Sequence, residues 1–106
     1  MKILTKQIEK NLRANAIVEA ETGETQTIEL KLFDPYGRFT FYASSLDADG
    51  NLFGFAVSPL GPDCDEWGYA NLEELTSLVK FGRPRIERDR HFDPVDPQEI
   101  RDGDRP

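Results

Sequence analysis

Arg38-Phe39-Thr40-Phe41-Tyr42-Ala43-Ser44 and Leu52-Phe53-Gly54-Phe55-Ala56-Val57-Ser58 are two aromatic-rich runs of strand-forming residues, separated by Asp47-Ala48-Asp49-Gly50. If that loop sets the register of a hairpin, Phe41 faces Ala56, Ala43 faces Gly54, Tyr42 faces Phe55 and Thr40 faces Val57. Large residues then meet small ones on one face, and aromatic and β-branched residues pair on the other. Neither face is polar. A hairpin of this kind belongs at the centre of a sheet, with both faces covered.

The flanking sequence supplies the other elements. Leu4, Ile8 and Leu12 recur at every fourth position behind Thr5, which predicts an N-capped helix from Thr5 to about Ala14 with one narrow apolar stripe. Glu19 to Thr27 reads as a polar loop or turn around Gly23. Ile28-Glu29-Leu30-Lys31-Leu32 alternates as a half-buried strand, and Asp34-Pro35-Tyr36-Gly37 is a turn. Pro59 to Asp63 reads as an exposed loop, and Trp67-Gly68-Tyr69-Ala70 as a short strand. Asn71, with Glu74 three residues on, caps a second helix that should bury Leu72, Leu75, Leu78 and Val79 and end at Gly82. Arg85 to Phe92 alternates as a last strand. The expected fold is a single small α+β domain over residues 1–92, an antiparallel sheet with two helices in the order α-β-β-β-β-α-β. Residues 93–106 are acidic and proline-containing, and read as a disordered tail.

With 106 residues and a net charge of −7, the chain suits one modest core and a soluble, acidic surface. That charge argues against general nucleic-acid binding and suits a protein partner with a basic surface. Cys64 is the only cysteine, so no internal disulfide forms, and a cytoplasmic setting is expected. Its neighbours Asp63, Asp65 and Glu66 disfavour a reactive thiolate. Lys2 and Lys6 bracket too short an apolar stretch for a secretory leader, and no run is long enough to span a membrane.

The patterns that resemble chemical sites are weak. Asp47-Ala48-Asp49-Gly50-Asn51 resembles part of a calcium loop, but Ser45 and Ala56 would stand at its first and last ligand positions, so a hairpin turn is the better reading. Glu29-Leu30-Lys31 matches a fragment of a nuclease core, but no aspartate precedes it. Glu87, Asp89 and His91 should share one face of the last strand, where a carboxylate pair and a histidine can ligate a metal or move a proton. With no second histidine in the chain, a charged structural face is preferred, and no cofactor is expected. Arg88 should share a face with buried Ile86 and Phe92. A buried guanidinium needs a carboxylate or backbone carbonyls, and Glu29, Asp34 and Glu74 are the carboxylate candidates. Lys80, Arg83, Arg85, Arg88 and Arg90 form the only basic-rich segment.

Lys31-Leu32-Phe33-Asp34-Pro35, Thr40-Phe41-Tyr42-Ala43, Leu52-Phe53-Gly54, Gly68-Tyr69, Leu72-Glu73-Glu74-Leu75 and Ile86-Glu87-Arg88-Asp89, in that order, resemble the domain of unknown function 2958 family. Ile3-Leu4-Thr5-Lys6 and Ala14-Asn15 extend the resemblance, and it covers the chain up to Pro94. Phe41 stands where the family pattern has tryptophan, and Arg90 where it has leucine. The resemblance implies a small bacterial protein of plasmids, phages and other mobile elements, resident in the cytoplasm, and transfers no catalytic residues. The function read from the sequence is a non-enzymatic accessory or interaction module. Tyr36, Tyr42, Trp67 and Tyr69 are its interface aromatics, and Arg85, Glu87, Arg88, Asp89, Arg90 and His91 complete the candidate binding set. Two alternatives stand beside it: an acidic DNA mimic that inhibits a host DNA-binding or restriction protein, and a nucleic-acid binder using the basic edge at 80–90.

Overall fold

A computed structural model describes residues 3–106. Met1 and Lys2, which the expected domain included, lie outside the described residues. The chain is α+β, with a five-stranded antiparallel sheet in the order β4-β3-β2-β1-β7. β1 is Leu30–Phe33, β2 Thr40–Leu46, β3 Asn51–Val57, β4 Glu66–Asn71 and β7 Glu87–Arg88. β5 (Val79–Lys80) and β6 (Arg83–Pro84) form a separate small hairpin. The helices are α1 (Lys6–Thr22), α2 (Leu72–Ser77) and α3 (Pro97–Arg101).

The central hairpin adopts the expected register: Thr40 pairs with Val57, Phe41 with Ala56, Tyr42 with Phe55 and Ala43 with Gly54. Beyond Ala43 the register shifts by a bulge, so that Ser45 faces Phe53. One face buries Leu30, Leu32, Phe41, Ala43 and Leu52 under Leu12 of α1 and Ile86, with Leu72 and Leu75 of α2 beside them. The opposite face joins Ile28, Tyr42 and Phe55 to Ile100, with Val57, Trp67, Phe92 and Val95 packed around them.

α1 starts where expected, with the Thr5 hydroxyl accepting from the Ile8 N–H at 3.1 Å, but it runs on to Thr22. The stripe does not stop at Leu12; it turns polar. Asn15 donates to the carbonyls of Ser44 (2.8 Å) and Thr27 (3.2 Å). Glu19 accepts from the hydroxyls of Ser44 and Ser45, at 2.6 and 2.5 Å, and from the Gln26 N–H at 2.9 Å. These side chains satisfy the polar groups that the bulge in β2 presents to the helix, where Ser44 is fully buried. Gly23, at φ 73°, closes the helix, so the expected loop shrinks to the residues after it.

Three further expectations are corrected. α2 keeps its Asn71 cap, which accepts from the Glu74 N–H at 3.0 Å, but it ends at Ser77 rather than Gly82. Thr76 and Ser77 turn their hydroxyls back onto the carbonyls of Glu73 and Glu74, and Leu78 and Val79 leave for the β5–β6 hairpin, where they are exposed rather than buried. The last strand is cut to Glu87–Arg88, because the Asp89 carboxylate accepts from the His91 N–H at 2.9 Å and turns the chain. The segment 93–106 is docked, not disordered. Val95 exchanges two backbone hydrogen bonds with Ile28 (2.8 and 3.1 Å), Asp96 and Glu99 form a capping box, and Ile100 is fully buried.

Candidate interaction surfaces

The β5–β6 hairpin turns through Phe81 and Gly82, at φ 54° and 73°. Positive φ is ordinary for glycine and uncommon for phenylalanine, so the turn holds the Phe81 backbone in a conformation a bulky residue seldom adopts. Phe81 is 79% exposed and Val79 64%, and Leu78 and Tyr36 are exposed beside them. Tyr36 meets Phe81 edge-on at 5.8 Å, and the Lys80 ammonium lies over both rings, at 4.9 and 5.5 Å. The outcome is an apolar knob with a basic rim on an acidic protein.

The knob is braced from below. Arg85 donates from its backbone to the Leu78 carbonyl and from Nε to Asp34 at 2.6 Å. Burial alone would raise the Asp34 carboxyl, but the Tyr36 amide and the Arg85 guanidinium outweigh it and hold the group below the ordinary aspartate range. Asp34 therefore pairs with Arg85, not with Arg88. Arg88 gives its Nε to the Ile3 carbonyl at 2.8 Å, and no described carboxylate forms an ion pair with it. The face expected to be shared by Ile86, Arg88 and Phe92 does not form: Ile86 packs in the first core face and Phe92 against the second, Arg88 is half-buried, and a carbonyl rather than Glu29, Asp34 or Glu74 accepts from it.

Next to the knob lies a cleft of 480 Å³. Arg83, Arg88 and Arg90 line it, opposed by Glu87 alone, with Ile3 and Ile86 at its base. Among the described residues Arg83 and Arg90 have no ion-pair partner. Arg90 is exposed at the cleft.

The remaining predicted site residues scatter. Tyr42, expected among the interface aromatics, is instead buried in the second core face. Asp89 pairs with Lys31 at 3.4 Å, and His91 is exposed beyond the turn, so Glu87, Asp89 and His91 do not share a strand face. No group of three or more His, Cys, Asp or Glu side chains is placed to hold a metal among the described residues. Asp47 caps its own turn, accepting from the N–H groups of Asp49 and Asn51 at 2.9 Å each, as a hairpin loop requires. Glu29 accepts from the Asn11 amide at 3.0 Å.

Trp67 and Tyr69 form a second surface, an aromatic shelf with Phe53 and Phe55 on β3 and β4. Phe53 stacks on Trp67 at 6.1 Å and touches Tyr69 at 5.1 Å, and Phe55 meets Trp67 at 5.4 Å. Tyr69 is 73% exposed. At one end of the shelf Asp65 accepts from both guanidinium nitrogens of Arg38, at 2.8 and 2.9 Å, and from the Ser58 N–H at 2.8 Å. Arg38 also donates to the Ser58 carbonyl. Nothing in the local sequence pattern pairs Arg38 with Asp65; the β2–β3–β4 meander does. The Arg38 guanidinium pulls the Asp65 carboxyl down to about 2, outweighing partial desolvation. A folded pKa below the unfolded value means that this contact stabilises the fold above the ordinary aspartate range, near ~3.9, and is lost as pH falls through about 2. An NMR titration of the Asp65 carboxyl should show its midpoint about there, and Arg38→Met should move it upward.

The fold and its surfaces define a small α+β domain with an apolar, basic-rimmed hairpin and an aromatic shelf. The chain belongs to the DUF2958 family, described as a protein of unknown function, whose profile matches residues 3–99. No curated protein and no solved structure matches it. No helix among the described residues is long and apolar enough to cross a membrane.

Proposed function

We propose that this chain is a non-enzymatic interaction module that docks a protein partner through the β5–β6 hairpin. The observation that carries this reading is the exposure of Val79 and Phe81 on a hairpin whose base is locked by the Arg85–Asp34 pair. A rigid, protruding aromatic group loses little entropy on docking, and such residues dominate interface energetics. Lys80 and Arg83 beside it suit a partner that presents carboxylates next to an apolar pocket. The family resemblance supports a bacterial mobile element, and a cytoplasmic setting, as the context.

A second reading draws on the cleft. Arginines without ion-pair partners suit phosphate, and Phe81 stands close enough in sequence to stack on a base, so nucleic-acid contact through this edge is the competing use.

Affinity capture from bacterial lysate with the native chain and with Phe81→Glu tests both, with and without nuclease treatment. The docking reading expects a captured protein that survives nuclease and whose yield falls on the order of thirtyfold with Phe81→Glu, as for loss of a hot-spot aromatic. Equal capture by the two proteins overturns the hairpin as the site. Nuclease-sensitive capture that depends on Arg83 and Arg90 establishes the second reading instead.

A further inference from the structure

The aromatic shelf carries a pattern that the hairpin does not explain: the chain seats its own arginines on it. The Arg101 guanidinium lies 5.3 Å from the Trp67 ring, and the Arg105 guanidinium 4.3 Å from the Phe55 ring. Arg105 also reaches the Asp65 carboxylate at 3.9 Å, beside the bidentate Arg38 pair. Aromatic faces next to a carboxylate are the chemistry that selects a planar guanidinium over an ammonium, because the plane stacks while its edge donates in parallel.

Arg101 and Arg105, from α3 and the segment after it, cover the shelf. The cover is partial, because Tyr69 stays exposed and β4 is the free edge of the sheet. The surrounding charge is right for a basic visitor. Asp63 and Glu66 are exposed next to Asp65, and the whole chain carries −7.

We propose that the shelf formed by Phe53, Phe55, Trp67 and Tyr69 with Asp65 is a guanidinium-binding surface for an arginine-bearing segment of a partner protein, and that Arg101 and Arg105 occupy it in cis. The partner's arginines displace those of the chain: Arg101 from the half-buried Trp67 ring, and Arg105 from the rim of the buried Phe55, where it also reaches Asp65 and donates to the Ile100 carbonyl at 3.4 Å. Ile100, one residue away and fully buried, keeps α3 docked while the exchange takes place. The surface is separate from the β5–β6 hairpin and does not depend on how that hairpin is used.

Trp67 is the only tryptophan, so its fluorescence reports the shelf directly. The probes are acetylated hexapeptides of arginine, lysine and glutamate at physiological salt. The native chain should bind the arginine peptide weakly. The Arg101→Gln/Arg105→Gln chain should bind it roughly tenfold tighter, since removing a competing internal occupant raises the competent fraction. The lysine peptide should gain far less from the same change, and adding Tyr69→Ala should remove much of the gain. Equal gains for arginine and lysine mean plain charge attraction and overturn the proposal, as does no gain or equal binding of the glutamate peptide. A measurement on the unaltered chain guards against a destabilised variant: excess arginine peptide should shift the Trp67 indole N–H resonance, and a shift of equal size with lysine overturns the proposal.

Discussion

Gly54→Val should yield no folded protein, and Gly54→Ala should melt far below the native chain. Gly54 lies on β3 opposite Ala43, just before the bulge that draws β2 close. A Cβ at this position would stand 1.9 Å from the Tyr42 carbonyl oxygen and 2.8 Å from the Ala43 Cα. Both are backbone atoms of the central strand, so no side-chain rotation relieves the clash. The strands must separate, and the Tyr42–Phe55 and Phe41–Ala56 pairs beside them go with the ladder. Even the alanine should cost about 3 kcal/mol, at the upper end of overpacking, out of a total stability on the order of 5–10 kcal/mol. A valine, with two further methyl groups, should exceed what remains. Gly68 provides the matched control. It pairs with Gly54 across β3 and β4, yet a Cβ there meets nothing within 4 Å. Circular dichroism melts should place Gly68→Ala near the native chain and Gly54→Ala more than about 10 °C lower. If the two alanine variants melt together, the close approach of β2 and β3 does not constrain the fold.

The same hairpin shows what could be read from residue order and what could not. Up to the bulge after Ala43 its register follows from a short loop, and large residues meet small ones in that alignment; all of that information is local. The length of α1 was hidden because its inner stripe passes from Leu12 to Asn15 and Glu19. Apolar periodicity stops there although burial does not, and the reason is a bulge in a strand far along the chain. The Arg85–Asp34 pair is hidden for a related cause: the sequence offers Asp34 as a partner for Arg88, and the turn at Asp34 faces Arg85 instead. For the surfaces, Tyr69 is exposed as its sequence context suggests, whereas Trp67 is half-buried against the second core face and Tyr42 is covered by residues from the far end of the chain. Phe81 was hidden by assigning it to a helix end. Two apolar faces on the central hairpin already required two covers, and α1 and α2 fill only one side. The second cover was demanded by the sequence, but its source, a segment rich in proline and acid, has no pattern that announces it.

Removing residues 98–106 should lower stability by about 3 kcal/mol and the melting temperature by roughly 10–20 °C. Sequence composition alone argues the opposite, because this segment has one large apolar side chain, Ile100. That side chain is fully buried against Ile28, Tyr42 and Phe55, of which the first is fully buried as well. Its loss forfeits its own burial and opens the lower face of the sheet, where an aromatic ring and a β-branched residue then meet water. The backbone contributes too. With Glu99 gone the Asp96 N–H loses its capping acceptor, and the exchange between Val95 and Ile28 is left at a frayed end. Two further proteins separate these contributions from the surface arginines. Ile100→Ala keeps the whole chain and should cost about 2 kcal/mol, at the low end for buried isoleucines because the rest of α3 stays in place. Deleting only Arg105 and Pro106 removes the contacts to Phe55, Asp65 and Lys31 but no buried apolar group, and surface contacts of this kind contribute little. Urea melts of the three proteins should therefore order them with the two-residue deletion closest to native and the nine-residue deletion furthest from it. Should the nine-residue deletion and Ile100→Ala both melt within a few degrees of the native chain, α3 is not a structural layer, and the aromatic face of β2 and β3 must be stable without a cover.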